Sequence, residues 1–320
     1  MTAPVVAALK SDSPDITIDY LVHERFAPLV RHFDPPPDHV ISFRPDVRAG
    51  HLPGYARDLA ATGYDVVIDL HDSLRSKLLR RYFGGAELRI YRKPRLRRWL
   101  LFYLWINRFP ADYSVTAEYL RFARLSVEGA ALHPRMRVDP ELARETRQRF
   151  GLGEGYVACI PGAAWPQKTW LRERYLEVFG RGGTGFEHPI VLLGGGGDTI
   201  CDQIAADLPG DSGVNLRGKT SLEDALAVLS GSRLVIGADT GLLHAGEALG
   251  VPAVMILGPT SRETGARSHH PESRVHQVSL WCRPCSQNGR RKCYRREQYC
   301  LTRVPADRVA ESVQQLLVRA

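Results

Sequence analysis

The sequence predicts an α/β protein of two domains of similar size. Short apolar runs recur along it, at 66–70, 156–160 and 234–236, each followed by a polar or glycine-bearing turn. The stretch 233–260, RLVIGADTGLLHAGEALGVPAVMILGPT, is a complete strand–turn–helix–strand unit, the building block of parallel sheets. A length of 320 residues agrees with about two domains.

In chain order, residues 2–11 place Val5, Val6 and Leu9 on one helical face. Residues 16–22 alternate as a strand, 24–31 are helical, 35–37 are three prolines in a loop, and 39–43 form a short strand. A helix over 53–62 closes at Gly63, and 66–70 is an apolar strand ending in His71-Asp72-Ser73-Leu74-Arg75-Ser76-Lys77. From residue 16 the order is βαβα. A sheet of this kind ordinarily opens on a strand, so the leading helix predicts a first strand and loop upstream of Met1. Residues 89–108, RIYRKPRLRRWLLFYLWINR, hold seven Lys/Arg and no acid, interleaved with aromatic residues. That run suits an anionic lipid surface or nucleic acid; its alternative is a helix with one core face and one solvated basic face.

A polar helix over 140–150 places the domain boundary at 145/146. Beyond it come a strand at 156–160, a helix at 170–179, a strand at 190–193, a glycine turn at 194–197 and a helix at 202–208. A helix over 222–229 has Ser221 as its N-cap, the strand–turn–helix–strand unit follows, and a helix over 305–318 ends the chain.

Hydrophobic residues make up 44% and charged residues 24%, an ordinary globular composition. The net charge of +8 points to an anionic partner, and the longest apolar run, 99–106, is too short to span a bilayer. The opening MTAPVVAALKSDS lacks the basic region of a secretory signal. These features predict a cytosolic protein whose six cysteines are thiols or metal ligands rather than disulfides.

Chemistry concentrates where strands end. Asp239, Thr240, Gly241 and His244 follow one strand and open a helix, whose free N–H groups and positive dipole end suit a phosphate. The structural alternative is Asp239 as an N-cap and His244 as a packed histidine. Gly162, after another strand, allows close backbone approach, and Lys168 in the same loop is a point charge for a phosphate. Gly213 to Thr220 satisfies the P-loop spacing formally, but no apolar strand precedes it, so the match is read as chance. Cys282, Cys285, Cys293 and Cys300 offer a possible tetrahedral zinc site, with free thiols in a loop as the other reading.

Four stretches together resemble the ADP-heptose–lipopolysaccharide heptosyltransferases, glycosyltransferase family 9: IPGAAWPQKTW (160–170), VLLGGGGD (191–198), the run 216–260 containing D-T-G-x-x-H and G-P-T, and WCRPCSQNGRRKCYRREQYC (281–300). APVVAALK, ITIDYLV and YDVVIDLHDSLRS carry it more loosely, so it covers almost the whole chain. The resemblance implies a GT-B fold, two Rossmann-like domains facing a cleft, with 1–145 binding the acceptor and 146–320 the nucleotide sugar. It implies inverting transfer of a heptose from ADP-heptose to the lipopolysaccharide inner core at the cytoplasmic face of the inner membrane. It requires no cofactor and no nucleic acid. By position, Asp239 contacts the donor sugar, Lys168 and the Thr240 and Gly241 N–H groups hold the diphosphate, and His244 supports that turn or reaches the donor. Arg75, Lys77 and the basic run face acceptor phosphates and the anionic membrane. The family's base, an Asp in the loop after the first strand, is expected upstream of Met1 or else is lacking, and Asp72 at another strand end is the candidate substitute within the chain. Two alternatives stay open: a transferase using another sugar nucleotide, or a non-catalytic homologue that binds an ADP-sugar or glycan.

Overall fold

The computed structural model describes residues 1–43, 52–129, 131–180, 188–208 and 213–319. The chain divides into two compact units. One comprises Met1–Arg95 and Pro110–Arg135; the other comprises Leu96–Phe109 and the chain from Met136 onward. The position 145/146 lies inside the helix Pro140–Arg149, which Asp139 caps by accepting from the Glu141 and Leu142 N–H groups. That helix packs on Leu222–Ser230, and the Met136 N–H donates to the Ala248 carbonyl at 2.8 Å. The second unit therefore takes in the chain ahead of the helix as well.

In the first unit β1 (Asp19–His23) pairs in parallel with β2 (His39–Phe43), and β3 (Val66–Asp69) with β4 (Glu87–Ile90). β1 begins later than its apolar alternation suggests. The Ile16 carbonyl accepts from Lys10 Nζ at 2.8 Å and the Ile18 N–H donates to Asp38 at 2.7 Å, so side chains engage the backbone there. β4 was not legible in the sequence because its residues Glu87 and Arg89 are charged. They satisfy each other at 3.0–3.1 Å, and Arg89 also donates to the Ala123 carbonyl. The leading helix, Ala3–Asp12, buries Val5 against Leu120 and Ala123, with Leu9 and Ile68 beside them.

The second unit is a six-stranded parallel sheet. Its strands are β5 (Val157–Ile160), β6 (Ile190–Leu192), β7 (Gly213–Asn215), β8 (Leu234–Ala238), β9 (Ala253–Ile256) and β10 (Arg274–His276). They lie in the order β10-β9-β8-β5-β6-β7. β5, β6, β8 and β9 are buried at every position, as expected for strands covered on both faces. Each fully buried Val, Leu or Ile contributes about 1.5–3 kcal/mol, so these runs carry much of the unit's stability. Gly237 is required by packing: a Cβ there would lie 2.2 Å from the Ile160 carbonyl oxygen of β5. β7 and β10 are three-residue edge strands, too short for a periodicity signal. Gly213 opens β7, and Lys219 turns back to the Asn215 carbonyl at 2.9 Å, so no P-loop forms.

The chain runs from β5 outward through β6 and β7, then returns to β8 on the other side of β5. The carboxyl ends of β5 and β8 thus flank the topological switch point, where parallel α/β sheets bind ligands.

Candidate functional site

Both strand ends at the switch point carry the side chains singled out from the sequence. After β5 the chain passes Pro161 and Gly162 into a short 3-10 turn, Pro166–Lys168. After β8 it reaches Asp239 and enters the helix Gly241–Ala248. Thr240, not Asp239, caps that helix, its hydroxyl accepting from the Leu243 N–H at 3.4 Å. The Asp239 carboxylate is therefore free for side-chain partners. Lys168 Nζ lies 2.8 Å from its Oδ2, Thr260 Oγ1 donates to the same oxygen at 2.9 Å, and His244 Nε2 donates to Oδ1 at 3.0 Å. Lys168, Asp239 and His244 thus form one cluster, joined by Thr260 from the G-P-T run, whose hydroxyl the sequence reading did not single out.

Burial alone would raise the Asp239 carboxyl. The His244 hydrogen bond and the Lys168 charge outweigh it and hold the group well below the usual carboxylate range. Burial likewise works against a charged His244, but its bonds to Asp239 and Glu247 raise it above the ordinary histidine value. At the helix start Gly241 is exposed, and an added Cβ would meet nothing within 4 Å. Its bare backbone is open to a ligand rather than demanded by packing. Gly162 is placed differently. It is buried, and a Cβ there would lie 2.4 Å from Asp198 Oδ1, while Asp198 Oδ2 accepts from the Gly195 N–H at 2.7 Å. Its lack of a side chain seats the glycine turn after β6.

The cysteine-rich segment lies against these same loops. The Cys285 N–H donates to the Pro259 carbonyl at 3.1 Å and Gln298 Nε2 to the Gln167 carbonyl at 2.6 Å. Gly289 is pressed so close to Lys168 that a Cβ would lie 2.5 Å from its Cγ, and Arg290 sits over the Trp165 ring at 5.5 Å. Among the described residues no group of three or more His, Cys, Asp or Glu is arranged to hold a metal ion. Cys300 is taken into the core of the second unit, and burial pushes the Cys285 thiol up to about 11.

Asp72, Arg75 and Lys77 lie in the first unit. Ser73 and Ser76 form a capping box for the helix Leu74–Leu79, which carries both cations. Arg75 stacks over the Phe43 ring at 4.9 Å, and Lys77 lies 3.7 Å from Asp72. Asp72 is buried with a left-handed φ of 42°, and Arg95 donates to its Oδ2 at 3.0 Å. Burial would raise this carboxyl, but Arg95 and Lys77 hold it below the ordinary value.

Residues 54–295 match glycosyltransferase family 9 (heptosyltransferase). The chain belongs to this family. As a member it is a transferase, and the family works without a metal cofactor. It is similar to lipopolysaccharide heptosyltransferase 1 of Pseudomonas aeruginosa, with 26% identity over 99% of this chain and 94% of that protein. It is also similar to lipopolysaccharide heptosyltransferase 3 of Escherichia coli, at 22% identity over 99% and 95%. Among solved structures, E. coli ADP-heptose LPS heptosyltransferase II superposes with a TM-score of 0.77 at 20% identity, covering 99% of this chain and 94% of that one. The E. coli heptosyltransferase WaaC with ADP-2-deoxy-2-fluoro heptose gives 0.67 at 20% identity, covering 98% and 94%. The fold of this family member is that of these GT-B heptosyltransferases.

Proposed function

We propose that this chain transfers a heptose from ADP-heptose to the lipopolysaccharide inner core by an inverting displacement. The observation that carries this is the meeting of Lys168 and Asp239 at the switch point of the six-stranded sheet, beside the open helix start at Gly241. The relatives named above are heptosyltransferases, one of them solved with an ADP-heptose analogue.

In this reading an acceptor hydroxyl forms a bond to the anomeric carbon as the bond from that carbon to the diphosphate breaks, ADP leaves, and the hydroxyl proton passes to solvent water. Charge develops on the diphosphate, where Lys168 and the Thr240 and Gly241 N–H groups stabilise it as preorganised donors. Asp239, held ionised, accepts from donor-sugar hydroxyls. In the first unit, Lys77 and Arg95 pair with Asp72 and, together with Arg75 on the same helix as Lys77, take up acceptor phosphates. Asp72 is ion-paired on both sides and a weak proton acceptor, so its part is to orient those cations rather than to act as base.

The same reading includes peripheral contact with the anionic cytoplasmic face of the inner membrane. Among the described residues no helix is long and apolar enough to cross a membrane. The helix Arg95–Leu104 buries Leu101 and Phe102, yet exposes Leu96, Trp99, Tyr103 and Leu104 on its other face, where Trp99 and Tyr103 stack at 6.2 Å. Arg95 and Arg97 flank that stripe, a pattern suited to an anionic interface.

The test is calorimetric titration with ADP, followed by turnover of ADP-heptose on heptose-deficient core lipopolysaccharide, with ADP-glucose as control. Saturable ADP binding and heptose-dependent product are expected. Absence of both in the folded protein would refute the reading.

A further inference from the structure

We propose that Glu247 is a positioning residue of the donor turn: from behind His244 it keeps that imidazole doubly protonated and aimed at Asp239, so that Lys168 is free to serve the diphosphate of the nucleotide sugar. The role in binding rests on the donor reading above; the relation between Glu247 and His244 stands on geometry.

Glu247 lies three positions after His244 on the helix Gly241–Ala248, so the two share a face. Its side chain is wholly buried, with 0% exposure. A buried carboxylate is costly unless paired and hydrogen-bonded, and both oxygens of Glu247 are used. Oε2 faces His244 Nδ1 at 3.4 Å. Oε1 accepts from Ser268 Oγ at 2.8 Å, the His269 N–H at 3.1 Å and the His270 N–H at 3.3 Å. The charge is thus fixed in place by three donors from the loop beyond β9.

The His244 ring has a carboxylate at each nitrogen, Asp239 at 3.0 Å and Glu247 at 3.4 Å. A neutral imidazole offers one nitrogen as acceptor, which a carboxylate repels; an imidazolium donates from both. The other groups around it agree. His269 faces His244 edge-on at 5.7 Å, and burial together with the His244 charge pushes it down to about 3, so it stays neutral, with Arg267 acting in the same direction. Lys168 meets Asp239 at its other oxygen. Glu247 itself is brought down to about 2, the His244 and Ser268 bonds outweighing its burial.

The consequence falls on Lys168. With His244 charged, Asp239 keeps a cationic partner when Lys168 turns to a phosphate. With His244 neutral, Lys168 alone balances Asp239, and leaving it would strand a buried carboxylate.

The experiment compares the full chain with Glu247→Gln, which keeps an acceptor for Ser268 and the two N–H groups but removes the charge, and with Glu247→Asp, which keeps the charge. Nitrogen-15 NMR of labelled histidines reads the His244 protonation state, and titration calorimetry reads ADP affinity from about pH 6 to pH 8, the range of histidine switching. In the wild type, His244 is expected to stay doubly protonated past neutral pH with flat ADP affinity. In Glu247→Gln, His244 titrates about one unit lower, and ADP binds about tenfold more weakly at the alkaline end, recovering at the acid end. Glu247→Asp restores the flat profile. A wild-type His244 that titrates as an ordinary histidine overturns the proposal. So does a Glu247→Gln profile that parallels the wild type, even at a lower melting temperature. Failure of the wild type to bind ADP at any pH would refute the donor reading and the binding role with it, while the histidine resonances would still decide whether Glu247 holds the proton.

Discussion

Lys168 Nζ stands 2.8 Å from Asp239 Oδ2, a bond that ties the loop after β5 to the loop after β8. Both groups are largely buried, with side-chain exposures of 15% and 9%, so the pair is shielded from screening by solvent. Lys168→Met keeps the stem that packs beside Gly289 and removes the charge. A charge-assisted hydrogen bond contributes about 1.5–3 kcal/mol. ADP affinity measured by calorimetry should therefore fall roughly tenfold to a hundredfold. An unchanged affinity would mean that Lys168 serves only the fold.

Two glycines separate packing from ligand approach. Gly237→Ala drives a Cβ against the Ile160 carbonyl oxygen and should part β5 from β8, at a cost of about 1–3 kcal/mol or more in denaturant unfolding. Gly241→Ala meets open space at a helix start, where alanine is the better helix former, so the melting temperature should hold or rise slightly. ADP binding should nevertheless weaken, because the added methyl stands where the proposed function brings the donor phosphate to the backbone. Equal ADP affinity in Gly241→Ala and wild type would count against phosphate contact there.

Asp239 and Glu247 are both held below their ordinary values in the fold. Their contribution to stability is present above the unfolded carboxylate values, about 3.9 for Asp and 4.3 for Glu, and is lost as pH falls through the folded values. For Glu247 the window runs from there down to about 2. His244 has the opposite sign: its value is raised, so its contribution is complete below about 6.5 and fades as pH rises through the folded value. Melting temperatures followed by calorimetry should drop across the acid window. Asp239→Asn should flatten part of that drop while costing on the order of 3 kcal/mol at neutral pH. An acid limb identical to the wild type would show that Asp239 is not the titrating group.

Leu96→Ser with Trp99→Ser and Tyr103→Ser removes the exposed apolar stripe of the helix Arg95–Leu104 and leaves its buried face intact. Co-sedimentation with anionic phosphatidylglycerol vesicles should fall about tenfold or more, as expected for losing several inserted side chains. Binding of the wild type should weaken as salt is raised. Undiminished vesicle binding by the triple variant would place the membrane contact elsewhere.

Part of this molecule was legible before folding. The apolar runs of β5, β8 and β9, the Ser221 cap and the turn after β8 are local patterns, and the structure reproduces them. The edge strands β7 and β10 were not legible, because three residues hold no period. β4 was hidden by charges that find partners only in the folded unit. The cysteine spacing resembled a ligand set, but spacing carries no information about which thiols turn into a core, and Cys300 does.

The sequence by itself determined the parallel α/β character, the family and the residue types at the two strand ends, since these rest on contiguous runs of side chains. Tertiary structure alone decided what those residues do to one another. The sheet order brings the ends of β5 and β8 side by side, so Lys168, Asp239 and Thr260 meet although they are far apart in the chain. It also closes Glu247 and the loop at 268–270 behind His244, giving a histidine that reads as packed or supporting a carboxylate at each ring nitrogen. Charge state in a buried cluster depends on distance and desolvation, and neither exists until the chain has folded.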